Sequence, residues 1–183
     1  MDSPNGEPPE VLSSEEVYAG KLISVARDTV REGEVTYVRE VVAHPGGAGI
    51  VAYFGDGTTA LVRQYRHPAR GYVLEIPAGK LDPGERPEQT AARELEEELG
   101  VVAGRLEELS AFYTTPGFCA EKLWVFLATN LRETAIRREA DEIIEVVRVP
   151  LASALAMLAS GEIEDAKTII GLTLAARRLG IQE

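Results

Sequence analysis

Three glutamates, Glu94, Glu97 and Glu98, stand at i, i+3 and i+4 in the run Ala-Arg-Glu-Leu-Glu-Glu-Glu-Leu-Gly. On a helix turning about 100° per residue, with Glu94 at 0°, Glu98 falls at about 40° and Glu97 at about −60°, while Glu96 falls near 200°. Ala91, Ala92, Leu95 and Leu99 fall between about 60° and 160°, the face expected against a core. Glu94 and Glu98 then flank the buried edge, with Glu97 beside them. Carboxylates so placed repel one another, and partial burial sharpens the repulsion. A hard divalent cation that prefers oxygen ligands, most naturally magnesium, turns that repulsion into binding. Taken alone, the helix leaves one alternative open: a solvated Glu-rich face on which Arg93 pairs with Glu97 at i,i+4.

The flanking residues say how such a helix is positioned. Gly79 and the turn Asp82-Pro83-Gly84 lead in, Pro87 suits a first helical turn, and Gly100 suits the C′ position after Leu99. Before this stretch, VYAGKLISVARDTV and VTYVREVVAH read as strands joined by a turn at Arg31-Glu32-Gly33-Glu34, an N-terminal antiparallel β-hairpin region. AGIVAYFG and TTALVRQYR form a second hairpin across Asp56-Gly57, and YVLEIPAG is a short strand. After it, LEELSAFYTT and LWVFLATNL are strands joined by the Pro116-Gly117 loop, and IIEVVRVP is another. Helices follow at LASALAMLAS, stopped by Gly161, and from about Asp165 to Leu179, stopped by Gly180. The pattern predicts an α+β chain, an α/β/α sandwich around a mixed sheet. Its expected parts are a disordered tail over 1–12, a β-strand region over 13–47 that serves dimerisation, and a main domain over 48–183.

The chain has 183 residues and a net charge of 19 − 30 = −11. That balance argues against a general nucleic-acid binder, which needs a basic footprint. The single Cys119 excludes an internal disulfide and a cysteine-based zinc site, and it suits a reducing compartment. No signal peptide or membrane-length apolar run is found, so the expectation is a cytoplasmic protein without membrane partners.

The full spacing is Gly79, five residues, Glu85, seven residues, Arg93-Glu94-Leu95, one residue, Glu97-Glu98, one residue, Gly100-Val101. It resembles the Nudix box, GX5EX7REUXEEXGU with U apolar, and every defined position is filled. The resemblance implies a Nudix hydrolase that cleaves a nucleoside diphosphate linked to another group. Magnesium, or manganese in its place, would be held by Glu94 and Glu98, with Glu97 contacting the cluster directly or through water. Glu85 and Arg93 would form an ion pair bracing loop on helix.

The flanks LVRQYRHPARGYVLEIPAGKLD, YTTPGFCAE and ADEIIEVVRVP resemble the ADP-ribose pyrophosphatase branch, from about Tyr18 to Thr168. This implies hydrolysis of ADP-ribose to AMP and ribose 5-phosphate. The Ala78 carbonyl would be a further metal ligand. Arg66 would clamp phosphate, its planar fork suiting phosphate oxygens. Arg39, from its own N-terminal hairpin or from that of the partner subunit of a homodimer, and Glu75 would reach the substrate, and Thr115, Pro116 and Gly117 would shape a loop against ribose or phosphate. Glu142 would be the base that takes a proton from the attacking water, with Glu139 next because that loop's alignment can slip. The bland readings are a surface Arg at 66 pairing with one of the 30 acidic residues, a strand-edge carboxylate at 75 and a charged loop around 142. Glu121 is either a site residue or a solvated loop acid, and His44 and His67 read as turn or surface residues. Another nucleoside-diphosphate sugar, such as GDP-mannose, or a dinucleotide is the alternative substrate. A non-catalytic nucleotide sensor is the alternative from another class, disfavoured by the complete box.

Overall fold

The computed structural model describes residues 6, 8–136 and 143–181. The chain divides into two compact units, one formed by residues up to Gly46 with Tyr113–Lys122, the other by Gly47–Phe112 with Leu123 onward.

The first unit carries a three-stranded antiparallel sheet ordered β1-β2-β3, with β1 at Glu10–Ala19, β2 at Ser24–Glu32 and β3 at Val35–Ala43. The turn expected at Gly33 is present: Glu32 pairs with Val35, and Gly33 has φ 60, a conformation glycine adopts at little cost. The run VYAGKLISVARDTV is not one strand. It turns back at Gly20–Ile23, where Gly20 N–H donates to Ile23 O at 2.9 Å. A side chain at Gly20 would meet the Tyr18 hydroxyl at 2.6 Å, so the exposed Tyr18 ring would have to turn aside. The result is one more strand than the hairpin expected, and β1 starts at Glu10, inside the stretch whose composition reads as tail. Val42 also bridges Cys119 of the loop that follows Pro116.

The second unit is an α/β/α sandwich on a seven-stranded mixed sheet ordered β10-β5-β4-β9-β8, with β6 beside β5 and β7 beside β4. Its strands are β4 (Gly47–Tyr53), β5 (Thr58–Arg66), β6 (Gly71–Glu75), β7 (Ala78–Lys80), β8 (Val101–Tyr113), β9 (Lys122–Glu133) and β10 (Ile144–Pro150). The central pair β4–β9 is parallel and lies between two cores, which is why both strands read as continuous apolar runs. Alternation sends their side chains to opposite faces. Ala48, Ile50, Ala52, Phe126 and Ala128 pack with Ala91 and Leu95 of helix α1 (Pro87–Glu94) and the turn after it. Val51, Val125 and Leu127 pack with Leu151, Ala154 and Leu155 of α2 (Leu151–Ser160) and Leu172, Ala175 and Ala176 of α3 (Ala166–Leu179). No helix among the described residues is long and apolar enough to cross a membrane.

Helix α3 approaches the sheet at Gly171. A Cβ there would lie 3.1 Å from Ile76 Cδ1, Val125 Cγ1 and Val51 Cγ2 at once. Gly171→Val should therefore overpack this face and destabilise the protein by about 2 kcal/mol, read as a lower urea midpoint with an unchanged slope.

Candidate active site

Helix α1 does not continue as an α-helix to Leu99. Leu95–Leu99 forms a wider π-type turn, closed by Gly100 at φ 65. Such turns insert one residue into a helix and recur at functional sites. Glu94 and Glu98 are both buried, each 4% exposed, while Glu97 is partly exposed. Ala92, expected on the core face, is exposed; it stood at the edge of that face on the ideal wheel.

Two backbone features make room for the buried carboxylates. Glu94 lies against Gly79, where a Cβ would fall 1.7 Å from Glu94 Oε1. No residue with a side chain fits there without moving Glu94. Ala78 N–H donates to Glu98 Oε2 at 3.1 Å. Ala78 and Gly79 are held by pairing of β7 with β4, Gly49 opposite Ala78 and Ala48 opposite Gly79. Glu94, Glu98 and the Ala78 backbone therefore meet at one place on the second unit.

Arg93 organises the outer edge. Its Nη1 donates to Glu94 Oε1 at 2.7 Å and to Glu97 Oε2 at 2.8 Å. Its Nε and Nη2 donate to Glu85 Oε1 and Oε2 at 3.2 and 3.1 Å, and Nη2 also donates to the Lys80 carbonyl at 3.2 Å. The Glu85–Arg93 pair expected from the sequence is thus present, and Arg93 reaches two of the cluster glutamates as well. Burial disfavours the Arg93 charge, but Glu85, Glu94 and Glu97 outweigh it and hold the guanidinium well above its ordinary pKa. The Arg93 hydrogen bonds, helped by Thr90 Oγ1 and Asp82 N–H, pull Glu85 down to about 2.

A divalent cation fits this place by donor chemistry: two buried carboxylates on one side of the helix, and a glycine that keeps Glu94 in contact with the backbone. Among the described residues no three His, Cys, Asp or Glu side chains converge on a single point. Arg93 Nη1 stands instead between Glu94 and Glu97.

On the same unit, Arg66 and Glu75 meet through a two-pronged ion pair. Arg66 Nε donates to Glu75 Oε1 at 2.7 Å and Nη2 to Oε2 at 2.8 Å. A strand-edge carboxylate does not describe Glu75, which is 2% exposed, whereas Arg66, with 41% of its side chain exposed, is paired with an acidic residue as its bland reading has it. Burial raises the Glu75 pKa, yet Arg66 and Lys167 together bring it below its ordinary value. Lys167 also contacts Glu75 Oε2, and the sequence reading had not singled it out. Its signal was its position. A cation in the first turn of a helix opposes the helix dipole, so Lys167 called for an acidic partner.

In the first unit, Arg39, Pro116 and Gly117 line one shallow concavity with Tyr113, Phe118 and Cys119. Arg39 lies over the Tyr37 ring at 4.0 Å. The carbonyl of Thr115 turns the loop, accepting from Phe118 N–H at 3.3 Å and Cys119 N–H at 3.0 Å. Glu121 is not merely solvated: it accepts from Thr114 Oγ1 at 2.8 Å and lies 3.4 Å from His44 Nδ1, which itself accepts from Gly46 N–H. Glu142 and Glu139 lie outside the described residues.

The depressed Glu85 pKa has a stability consequence. Its folded value of about 2 lies below the ordinary glutamate value of 4.5, so its contribution is complete above about 4.5 and is lost as pH falls toward 2. In EDTA, Glu85→Gln should melt well below the wild type at pH 7, and the gap should narrow steadily below about pH 4.5.

The NUDIX domain family model matches residues 43–170. An ADP-ribose pyrophosphatase of Bacillus subtilis (strain 168) is 42% identical over 163 residues, covering 87% of this chain and 88% of the relative. A methanol dehydrogenase activator of Bacillus methanolicus is 35% identical over 178 residues, covering 95% of this chain and 94% of the relative. A solved structure described as an ADP compounds hydrolase superposes with a TM-score of 0.83 at 26% identity, covering 95% of both chains. Nudix enzymes generally need a divalent metal. With its complete box folded as a buried carboxylate pair against Gly79, the chain belongs to the Nudix family of hydrolases.

Proposed function

We propose that the chain hydrolyses the pyrophosphate bond of ADP-ribose, releasing AMP and ribose 5-phosphate. The observation that carries this is the Glu94–Glu98 pair, buried against the backbone of Ala78 and Gly79, in a chain 42% identical to an ADP-ribose pyrophosphatase. Glu94, Glu97, Glu98 and the Ala78 carbonyl hold magnesium, with manganese as a substitute. The metal supplies Lewis acidity that offsets the charge of the pyrophosphate and makes water easier to deprotonate. Glu142, or Glu139 beside it, accepts the proton of the water that attacks one phosphorus in line. Arg66 binds a phosphate, aimed by the buried Glu75, and charge-assisted hydrogen bonds of this kind are about twice as strong as neutral ones. Arg39, Thr115, Pro116 and Gly117 are assigned to substrate on the family resemblance and the concavity that Arg39, Pro116 and Gly117 help to line. A cytoplasmic setting accords with the single cysteine, Cys119.

A panel of ADP-ribose, GDP-mannose and dinucleotides with magnesium tests the substrate. ADP-ribose should give the highest kcat/KM; a clear preference for another member would replace it. In the same assay Glu98→Gln should lose at least about two orders of magnitude in kcat while melting as a folded protein. The relative named as a methanol dehydrogenase activator favours one other reading, action on a partner enzyme. Ordinary turnover of the free nucleotide argues for the first.

The chain also forms a homodimer through the β1-β2-β3 sheet. Val11, Leu12, Val17 and Tyr18 of β1 and Val35 and Val38 of β3 are all exposed, more apolar surface than a small isolated sheet keeps in water. Light scattering on a sizing column should give twice the 19.8 kDa chain mass. A fully active monomer would remove the dimer, and with it any role for Arg39 across subunits.

A further inference from the structure

Four side chains of alternating charge run in sequence through the second unit: Asp165, Lys167, Glu75 and Arg66. Asp165 Oδ1 lies 3.1 Å from Lys167 Nζ, and Lys167 Nζ donates to Glu75 Oε2. Arg66 closes on both oxygens of Glu75. Side-chain exposure is 3% at Glu75, 11% at Lys167 and 20% at Asp165, against 41% at Arg66, so Arg66 is the most exposed of the four.

This arrangement answers a difficulty with Arg66 as a phosphate clamp. A guanidinium gripped on both prongs by one carboxylate forms a pair with no net charge, which attracts an anion poorly. Lys167 places a second cation on that same carboxylate, so Glu75 is shared between two cations and cancels less of the Arg66 charge, although with Asp165 the four charges sum to zero.

Lys167 is not placed there for the sake of the helix. It sits in the first turn of α3, where the dipole disfavours a cation. The cap of α3 is already supplied by Asp165, whose Oδ2 accepts from Thr168 N–H at 2.9 Å and from Thr168 Oγ1 at 2.6 Å. Thr168 Oγ1 in turn accepts from Ile76 N–H at 2.8 Å, so the cap fixes α3 to the residue next to Glu75. The aliphatic stem of Lys167 passes Gly49, where a Cβ would come within 3.8 Å of Lys167 Cδ.

We propose that Lys167 is a positioning residue for substrate binding: it offsets the charge of Glu75, so that Glu75 aims Arg66 without cancelling its attraction for a substrate phosphate. The proposal rests on the reading that Arg66 binds the substrate. Asp165 works in the opposite sense, drawing on the Lys167 charge from the other side.

The test is steady-state kinetics with ADP-ribose and magnesium at low salt, with a thermal melt on each variant. Lys167→Met keeps the stem and should raise KM about fivefold, with kcat within about twofold of wild type. Asp165→Asn keeps a capping acceptor and should leave KM at or below the wild-type value. In a Glu75→Gln background there is no charge to offset, so adding Lys167→Met should change KM by less than about twofold. A merely structural tie predicts otherwise, because Lys167→Met and Asp165→Asn both break the Lys167–Asp165 contact. A raised KM in Asp165→Asn, an unaltered KM in Lys167→Met, or an undiminished Lys167→Met effect beside Glu75→Gln would each overturn the proposal. Should Lys167→Met not fold, Lys167→Gln, which keeps a hydrogen-bond donor near Glu75 without the charge, is read by the same outcomes. Wild-type KM in Arg66→Lys would overturn the underlying assignment of Arg66, independently of the behaviour of Lys167.

Discussion

The site depends on one constraint: Glu94 and Glu98 are almost wholly removed from water on the same side of one helix. A buried carboxylate is costly unless hydrogen-bond donors or cations surround it. The backbone here supplies part of that environment. The Ala78 N–H meets Glu98, Arg93 meets Glu94, and the missing side chain at Gly79 lets Glu94 lie directly on the strand. The β4–β7 pairing that fixes Ala78 and Gly79 is therefore as much a part of the site as the glutamates themselves.

Around that constraint the unit is divided by the sheet. One face of β4 and β9 supports the carboxylate helix, and the other supports α3, whose first turn carries Lys167. Glu75 and Ile76 are neighbours on one strand segment. Glu75 receives Arg66 and Lys167, while Ile76 N–H is tied to the α3 cap. The two charged clusters, Arg93 with its glutamates and Glu75 with its cations, are thus positioned from the same sheet by local backbone contacts rather than by long loops.

Much of this was legible in the sequence, for physical reasons that differ by element. The stops at Gly100, Gly161 and Gly180 were readable because each is a left-handed residue that glycine adopts at little cost. The sandwich was readable from many strands with one central helix and helices at the end of the chain. Gly20 was passed over because β-branched residues on both sides made one strand as good a fit as two. The widened turn at Leu95–Leu99 had no composition signal, since Leu-Glu-Glu-Glu-Leu is as good an α-helix as a π-turn. Burial of Glu75 depends on its pairing opposite Val62, a long-range register that no local pattern encodes. Lys167 left a faint trace, a cation where the helix dipole disfavours one, and the trace acquires meaning only when its partner, 92 positions away in the chain, is in view.

The widened turn also sets what kind of change this region can absorb. Its extra residue makes chain length, and not only composition, part of the site's specification. Removing any single residue between Leu95 and Leu99 would leave a respectable α-helix, yet it would abolish the widened turn and change the spacing that sets Glu94 and Glu98 against Ala78 and Gly79. Gly100 limits relief from beyond the turn, because its carbonyl accepts from Thr134 N–H at 2.8 Å and a Cβ there would fall 2.6 Å from Ile136 Cγ1. Point substitutions can drift through the outward positions of this helix, whereas insertions and deletions meet a barrier that helical propensity does not reveal.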